Sequence, residues 1–288
     1  MPPWAYRRAE APVITPLYRA LRTPELYAVR HAGGRFDLPA TDSSLNRALL
    51  LRGAYEPDAA AAFRQALAPG MTVFDIGANI GYYTVLAADA VGPQGLVCVF
   101  EPDPRNVTVL EGNLRLRPGC KVMVAREAVG AIEGSLPFFL NGADSSVNSM
   151  ALDNAVVTNP GASYQTATVP CTTLDGFVRQ HALPRPDVIK IDVQGAEMLV
   201  FAGAPDVLSK PRLKLFLEFW PYGLRQLGTQ PPDLLHFLLA QGFALRAIDR
   251  RTDAVLKSGQ DVGDFLARWS EPIERKRTWH MNFMAFRN

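Results

Sequence analysis

From Met71 onward the chain alternates short apolar runs with segments whose apolar residues recur every three or four positions. Met71–Asp75, Leu96–Phe100, Lys121–Ala125, Val188–Asp192, Leu213–Glu218, Phe243–Ile248 and Met281–Phe286 have the length and composition of buried strands. Between them, Ile80–Ala90, Pro104–Leu116, Thr173–Gln180, Ala196–Ala202 and Pro232–Gln241 read as helices, with Gly242 stopping the last one. Strand–helix alternation of this kind predicts an α/β fold, a mostly parallel sheet with helices on both faces. Four of the runs end in an acid or run directly into one: Asp75, Glu101, Asp192 and Glu218.

The first 68 residues read differently. Prolines at 2, 3, 12, 16, 24, 39 and 57 punctuate them, and the first sustained helical pattern is Asp58–Leu67, opened by Pro57 and ended by Pro69-Gly70. The expected organisation is a cover segment of short elements over residues 1–68, followed by one domain over 69–288. The rhythm breaks at about 130–170, where a Gly/Asp/Ser/Asn-rich stretch follows Leu136–Leu140. This region reads as an inserted loop, of a length that is usually functional or disordered. No internal repeat or low-complexity tract is visible.

Composition narrows the picture without naming a chemistry. The chain has 288 residues, 48% hydrophobic and 20% charged, which is enough for a large core without disulfides. Thirty basic against 28 acidic residues leave a net charge of +2, so no nucleic-acid partner is expected. The three cysteines form no C-x-x-C pair and have no zinc-site spacing, which fits a reducing compartment. No apolar stretch reaches the roughly 20 residues that span a bilayer, and no apolar signal core follows Arg7 and Arg8. A soluble, cytoplasmic protein without stable membrane insertion is the expectation, and a homodimer is left open.

The candidate chemistry sits at the strand tips. Asp75-Ile76-Gly77-Ala78-Asn79-Ile80-Gly81 lies between a strand and a helix, where open α/β sheets bind ligands. Its glycines permit a sharp turn and close approach, and the helix N-terminus favours an anionic group. Glu101, 26 residues after Asp75, stands where an acid takes both hydroxyls of a ribose. A nucleoside-bearing cofactor is therefore expected. The G-x-x-x-G spacing departs from the G-x-G-x-x-G of nicotinamide enzymes, and S-adenosylmethionine fits better.

These residues, with Phe100–Pro104 (FEPDP), Thr173–Asp175 (TLD), Ile189–Glu197 (IKIDVQGAE) and Leu217–Pro221 (LEFWP), make the chain resemble the FkbM family of S-adenosylmethionine-dependent methyltransferases over about residues 50–250. The resemblance implies a class I, Rossmann-like sheet of seven strands with the last antiparallel. It also implies O-methylation of a small molecule, natural product or sugar. Position by position it assigns Asp75, Gly77, Asn79 and Gly81 to the methionine end of the cofactor and Glu101 to the ribose. Pro102, Asn106 and Ala128 complete the cofactor side. One departure is visible: Gln194 stands where the family commonly has Glu.

Asp192 and Glu218, with Glu197 nearby, are the candidate catalytic residues. Asp192 could accept the acceptor's proton, orient its hydroxyl or bind a divalent cation with Glu218, a cation being possible but without other support. Lys190, within an apolar strand, is expected to meet a carboxylate. Ser146 and Asn148 in the inserted loop, and Trp220 and Tyr222 after the fifth strand, are candidate acceptor contacts. Of the four histidines, His181 and His236 read as structural, while His31 and His280 fall where either could reach the site. An N-methyltransferase, a nicotinamide oxidoreductase and a non-catalytic binding module remain the rival readings.

Overall fold

In the computed structural model, residues 26–31, 33–39, 43–117, 119–141, 148–158, 163–249 and 251–287 are described. The chain enters through a hairpin, β1 (Tyr27–His31) and β2 (Gly34–Leu38), then helices α1 (Ser44–Arg52) and α2 (Pro57–Ala66). The central alternation follows: β3 (Thr72–Ile76), α3 (Tyr82–Val91), β4 (Leu96–Phe100), α4 (Pro104–Arg115) and β5 (Lys121–Ala125). Next come β6 (Ala128–Val129), β7 (Gly134–Asn141), α5 (Leu152–Thr158) and β8 (Tyr164–Thr172). The alternation resumes with α6 (Leu174–Gln180), β9 (Val188–Ile191), α7 (Glu197–Ala202), α8 (Pro205–Leu208) and β10 (Lys214–Phe219). The chain ends with α9 (Pro221–Gln226), α10 (Pro231–Ala240), β11 (Ala244–Ile248), β12 (Val255–Leu256), α11 (Gly259–Arg268), α12 (Ser270–Arg275) and β13 (Met281–Phe286).

The main sheet has the order β12-β11-β13-β10-β9-β3-β4-β5. Strands β4, β3, β9 and β10 pair in parallel, and β13 runs antiparallel between β10 and β11. The last strand is thus antiparallel, as expected. The sheet has eight strands rather than seven because the two-residue β12 adds to the edge of β11. The strand order reverses at β3, with β4 on one side and β9 on the other. A crevice forms at such a switch point, outside the carboxyl ends of the strands.

The two sheet faces divide the core. Phe74, Ile76, Ile189, Ile191, Leu215 and Leu217 pack into one layer with residues of α6 to α8, α10 and α11. Val73, Val97, Val99, Val188 and Phe216 pack into the other with α1, α2 and α3. Period-two alternation explains this split. It also fixes what else points toward α2 and α3: Asp75 beyond Val73, Lys190 beyond Val188, and Glu218 beyond Phe216. Leu38, Leu45 and Phe63 extend that layer, so β2, α1 and α2 roof this face of the sheet.

Two regions differ from the sequence reading. The 130–170 stretch is a long antiparallel hairpin rather than a loop: β7 pairs β8 from Gly134↔Cys171 to Asn141↔Tyr164, and α5 is carried between its strands. Exposed, half-buried and buried positions are mixed along both strands, so most of their length lacks the alternation that marks a half-buried strand, and Pro137 within β7 hid the run further. The polar insertion before the last strand contains α11 and α12. Ser258 and Asp261 form a capping box, and Val262, Phe265 and Ile273 are buried beneath. Cys98 and Cys171 are buried free thiols, whereas Cys120 is half-buried. Among the described residues no helix is long and apolar enough to cross a membrane.

Candidate active site

The crevice opens into a pocket of about 310 Å³ that runs over the tips of β3, β4, β9 and β10. Gly77, Asn79, Glu101, Pro102 and Ala128 line one end. Asp192, Gln194, Glu218, Trp220 and His280 line the other.

The first end is built by the turn after β3. Gly77 and Ala78 donate their N–H groups to the Phe100 carbonyl, which ties the turn to the tip of β4. Gly77 has φ 78°, and a Cβ there would stand 2.0 Å from the Asp192 carbonyl oxygen. Only glycine allows β3 and β9 to close on each other here. Asn79 takes the left-handed region as well (φ 52°), and its side chain accepts from the Ile80 N–H at 2.7 Å. The Asn79 N–H is thereby free to donate to Glu101 Oε2 at 2.8 Å. Glu101 Oε1 accepts from the Asp103 N–H at 2.9 Å and from Asn106 Nδ2 at 3.3 Å. Burial pushes the Glu101 carboxyl up to about 7, against these hydrogen bonds, which favour the charged form.

Some expected cofactor contacts lie behind this wall. Asp75 is buried on the α3 side, where its Oδ2 accepts from Thr84 Oγ1 at 2.6 Å. Burial raises its carboxyl to about 6, opposed by that hydrogen bond and by Lys190. It does not line the pocket, because the alternation that puts Ile76 on one face turns Asp75 under α3. Gly81 caps α3 in the left-handed region (φ 90°), and its missing Cβ makes room for Leu110 of α4. Asn106 reaches the pocket only through Glu101.

At the other end, Lys190 Nζ lies 3.3 Å from Asp192 Oδ2 and over the Tyr83 ring, so it meets a carboxylate as expected. Asp192 Oδ1 accepts from Gln194 Nε2 at 3.1 Å. Gln194 thus donates to Asp192 where an ionised Glu would repel it. Glu197 is wholly buried in the first turn of α7 and does not line the pocket. Its Oε1 accepts from the Gly195 N–H, its Oε2 has no partner, and burial lifts the carboxyl to about 8. Trp220 lines the pocket and donates Nε1–H to the Arg277 carbonyl at 2.6 Å. Tyr222 packs against Trp220 and under Arg277, outside the pocket. Asn148 lines it and donates to Asp103 Oδ2 at 2.7 Å. Ser146 lies outside the described residues.

Sequence reasoning passed over Glu56 and gave His280 no assigned role. Glu56, left-handed at φ 43° just before α2, accepts from Tyr83 Oη at 2.8 Å and from Asn282 Nδ2 at 3.0 Å. His280 Nε2 lies 3.6 Å from Glu218 Oε1. One donor atom from each of Glu56, Glu218 and His280 falls within 4.8 Å of the others. Burial pushes Glu218 up to about 7, with His280 pulling the other way. Glu218 in turn raises His280 above its ordinary value. The pairing of Glu218 with Asn282 in β10 and β13 brings these groups together, a signal no local spacing carries. His31, the other candidate, is buried; it stacks on Tyr82 and its Nε2 bonds the Tyr82 carbonyl oxygen at 3.0 Å.

Comparison with known proteins identifies the family. The family model for the methyltransferase FkbM domain matches residues 75–245. The hexuronic acid methyltransferase AglP of Haloferax volcanii is 24% identical over 189 residues, covering 66% of this chain and 72% of that protein. The 2-O-methyltransferase NoeI of Sinorhizobium fredii is 27% identical over 164 residues, covering 52% of this chain and 64%, just under two thirds, of NoeI. A crystal structure of a methyltransferase FkbM from Methylobacillus flagellatus aligns over 79% of this chain and 50% of its own, with 14% identity and a TM-score of 0.44. On the family match, which spans more than half of the sequence, the chain belongs to the FkbM methyltransferase family.

Proposed function

We propose that the chain transfers a methyl group from S-adenosylmethionine to a hydroxyl oxygen of a sugar or a related polyhydroxylated small molecule. The observation that carries this reading is the division of labour along one pocket. A buried carboxylate, Glu101, lies at the β4 tip, and a half-buried one, Asp192, and a buried one, Glu218, lie at the β9 and β10 tips. The names of AglP and NoeI support the acceptor half.

The residues fit the cofactor. Glu101 Oε2 has one protein donor and keeps a lone pair for a ribose hydroxyl. Pro102 and Ala128 offer an apolar wall suited to an adenine ring, and Gly77 and Asn79 leave backbone close to the ligand. The volume is in the range of small-molecule sites. When bound, S-adenosylmethionine supplies a sulfonium-activated methyl group to the acceptor oxygen.

The chain's residues do the rest. Asp192, held by Lys190 and Gln194, accepts a hydrogen bond from a neighbouring hydroxyl of the acceptor and so orients the attacking oxygen for in-line displacement. Trp220 packs against the acceptor, and Asn148 borders it from the hairpin. Ser44 and Arg47 of α1 and Tyr55 after it also contribute to the lining. Glu197 is a positioning residue that holds the Gly195 turn.

Calorimetric titration with S-adenosylhomocysteine and NADH, followed by methyl transfer to 4-nitrophenyl glucoside and 4-nitrophenyl glucuronide, tests the reading. Binding of S-adenosylhomocysteine and methylation of a sugar hydroxyl are expected. NADH binding without S-adenosylhomocysteine binding would overturn the cofactor, and methylation confined to added amines would overturn the acceptor.

A further inference from the structure

The sequence reading assigns the proton-handling role to acids and leaves His280 only as a residue that could reach the site. We propose that His280 is a catalytic residue of the methyl transfer: its Nε2 takes the acceptor hydroxyl proton, and Glu218 is the positioning residue that holds and stabilises it. This deepens the hydroxyl-acceptor reading and rests on it.

Three observations carry the proposal. First, His280 lines the pocket together with Glu218, Trp220 and Thr278. Its side chain is 48% exposed while that of Glu218 is 12% exposed, so the imidazole is the group an acceptor can touch. Second, its tautomer is set. Nδ1 lies 3.2 Å from the Thr278 carbonyl oxygen, and a carbonyl only accepts. Nδ1 therefore carries the hydrogen, and Nε2 presents its lone pair toward Glu218 and the pocket. Third, Glu218 is the group the resulting cation needs. It lies 3.6 Å away, close enough to stabilise an imidazolium and far enough to leave room for an acceptor oxygen at the rim.

The step balances. As the acceptor oxygen forms its bond to the methyl carbon, the carbon–sulfur bond breaks and its electron pair stays on sulfur. The hydroxyl proton passes to His280 Nε2, so the positive charge leaves the sulfonium and reappears on the imidazolium. The surroundings are arranged for that charge. Glu218 from β10, Glu56 from the turn before α2 and Asp192 after β9 face it, and all three favour the protonated ring. Lys190, the opposing cation, is neutralised at 3.3 Å by Asp192. Tyr83 Oη and Asn282 Nδ2 hold Glu56 in place.

Two measurements on the full chain test this. In protein labelled with nitrogen-15 histidine and saturated with S-adenosylhomocysteine, the His280 signals are identified by their loss in His280→Gln. They should report the Nδ1–H tautomer and a titration midpoint above that of a free histidine. Glu218→Gln should move that midpoint down. An Nε2–H tautomer, or a midpoint unmoved by Glu218→Gln, would overturn the pairing whatever the acceptor. In the glucoside and glucuronide assay, His280→Gln should lower kcat by roughly 10² or more and remove the acid limb of the pH profile. S-adenosylhomocysteine affinity should stay within about twofold, and His236→Gln, on an exposed helix face, should change neither. Wild-type kcat in His280→Gln would overturn the proposal. So would loss of activity in EDTA restored by Mn²⁺ that broadens the His280 signals, since the histidine would then be a ligand. Failure of the underlying reading looks different: the wild-type chain itself would not bind S-adenosylhomocysteine or methylate a hydroxyl.

Discussion

Glu101 shows how much one side chain has to reconcile. It is 4% exposed, takes three hydrogen bonds from its own chain and still faces the pocket. Burial holds its carboxyl near 7, so at neutral pH it is divided between two protonation states. A ribose hydroxyl donates, so it binds the carboxylate form better. Binding and deprotonation are therefore linked, and S-adenosylhomocysteine affinity should rise as pH increases from 6 to 8. Glu101→Gln should flatten that rise, and Glu101→Ala should weaken binding by about 1–3 kcal/mol, the scale for losing a buried charged partner. Calorimetric titration at several pH values checks both. Affinity independent of pH and of the substitution would remove Glu101 from the ribose.

Among the elements, the β3–α3 turn is the most constrained. A Cβ at Gly77 meets the Asp192 carbonyl oxygen at 2.0 Å, and the residue would also hold φ at 78°. The left-handed backbone costs an L-residue about 1–2 kcal/mol before the clash is counted. Gly77→Ala should destabilise the fold by about 3 kcal/mol or more and lower Tm by roughly 6 °C or more. Loss of S-adenosylhomocysteine binding should accompany it, because the crevice between β3 and β9 must open. Gly70→Ala is the control: it is also left-handed (φ 82°), but a Cβ there meets nothing, so only the backbone cost applies. Thermal melts of the two variants separate the clash from the conformation.

The same element explains what was legible in the sequence. Parallel strands covered on both faces read as continuous apolar runs, and β4 matches its run end to end; the edge strand β5 and the antiparallel β13 also match their runs. Acids at strand ends then mark the crevice, which is why Glu101, Asp192 and Glu218 were found. What lay outside that logic was missed for identifiable reasons. Glu56 stands before the first strand of the main sheet and reaches the site only because α2 packs on α3. His280 was seen to lie just ahead of the last strand, but its partner is fixed by the register of β13 on β10, which sequence spacing does not encode. Asp75 was placed at the correct tip and on the wrong side of it. Carrying the alternation from Val73 to Asp75 would have turned it beneath α3.

For the molecule as a whole, the acids that build the site also set its response to pH. The carboxyls of Asp75, Glu101, Glu218 and Glu197 are raised to about 6, 7, 7 and 8, in each case chiefly by burial. A raised folded value means that the folded chain holds these protons more tightly than the unfolded chain. The stability they provide is complete below their ordinary values of 3.8 and 4.5 and is lost as pH rises through about 6 to 8. The ligand-free protein should therefore melt at a lower temperature at pH 8.5 than at pH 6. S-adenosylhomocysteine reverses part of this. At a fixed concentration about 100 times its Kd at pH 6 it adds about 2.7 kcal/mol there, and the increment should be larger at pH 8 because its hydroxyls favour ionised Glu101. The pocket takes residues from both halves of the sheet and from the β7–β8 hairpin. The ligand should accordingly raise a single cooperative transition in scanning calorimetry. Two transitions, with only the earlier one shifted, would mean that the β3–β5 half binds the cofactor alone and that the strand tips of β9 and β10 take no part in holding it.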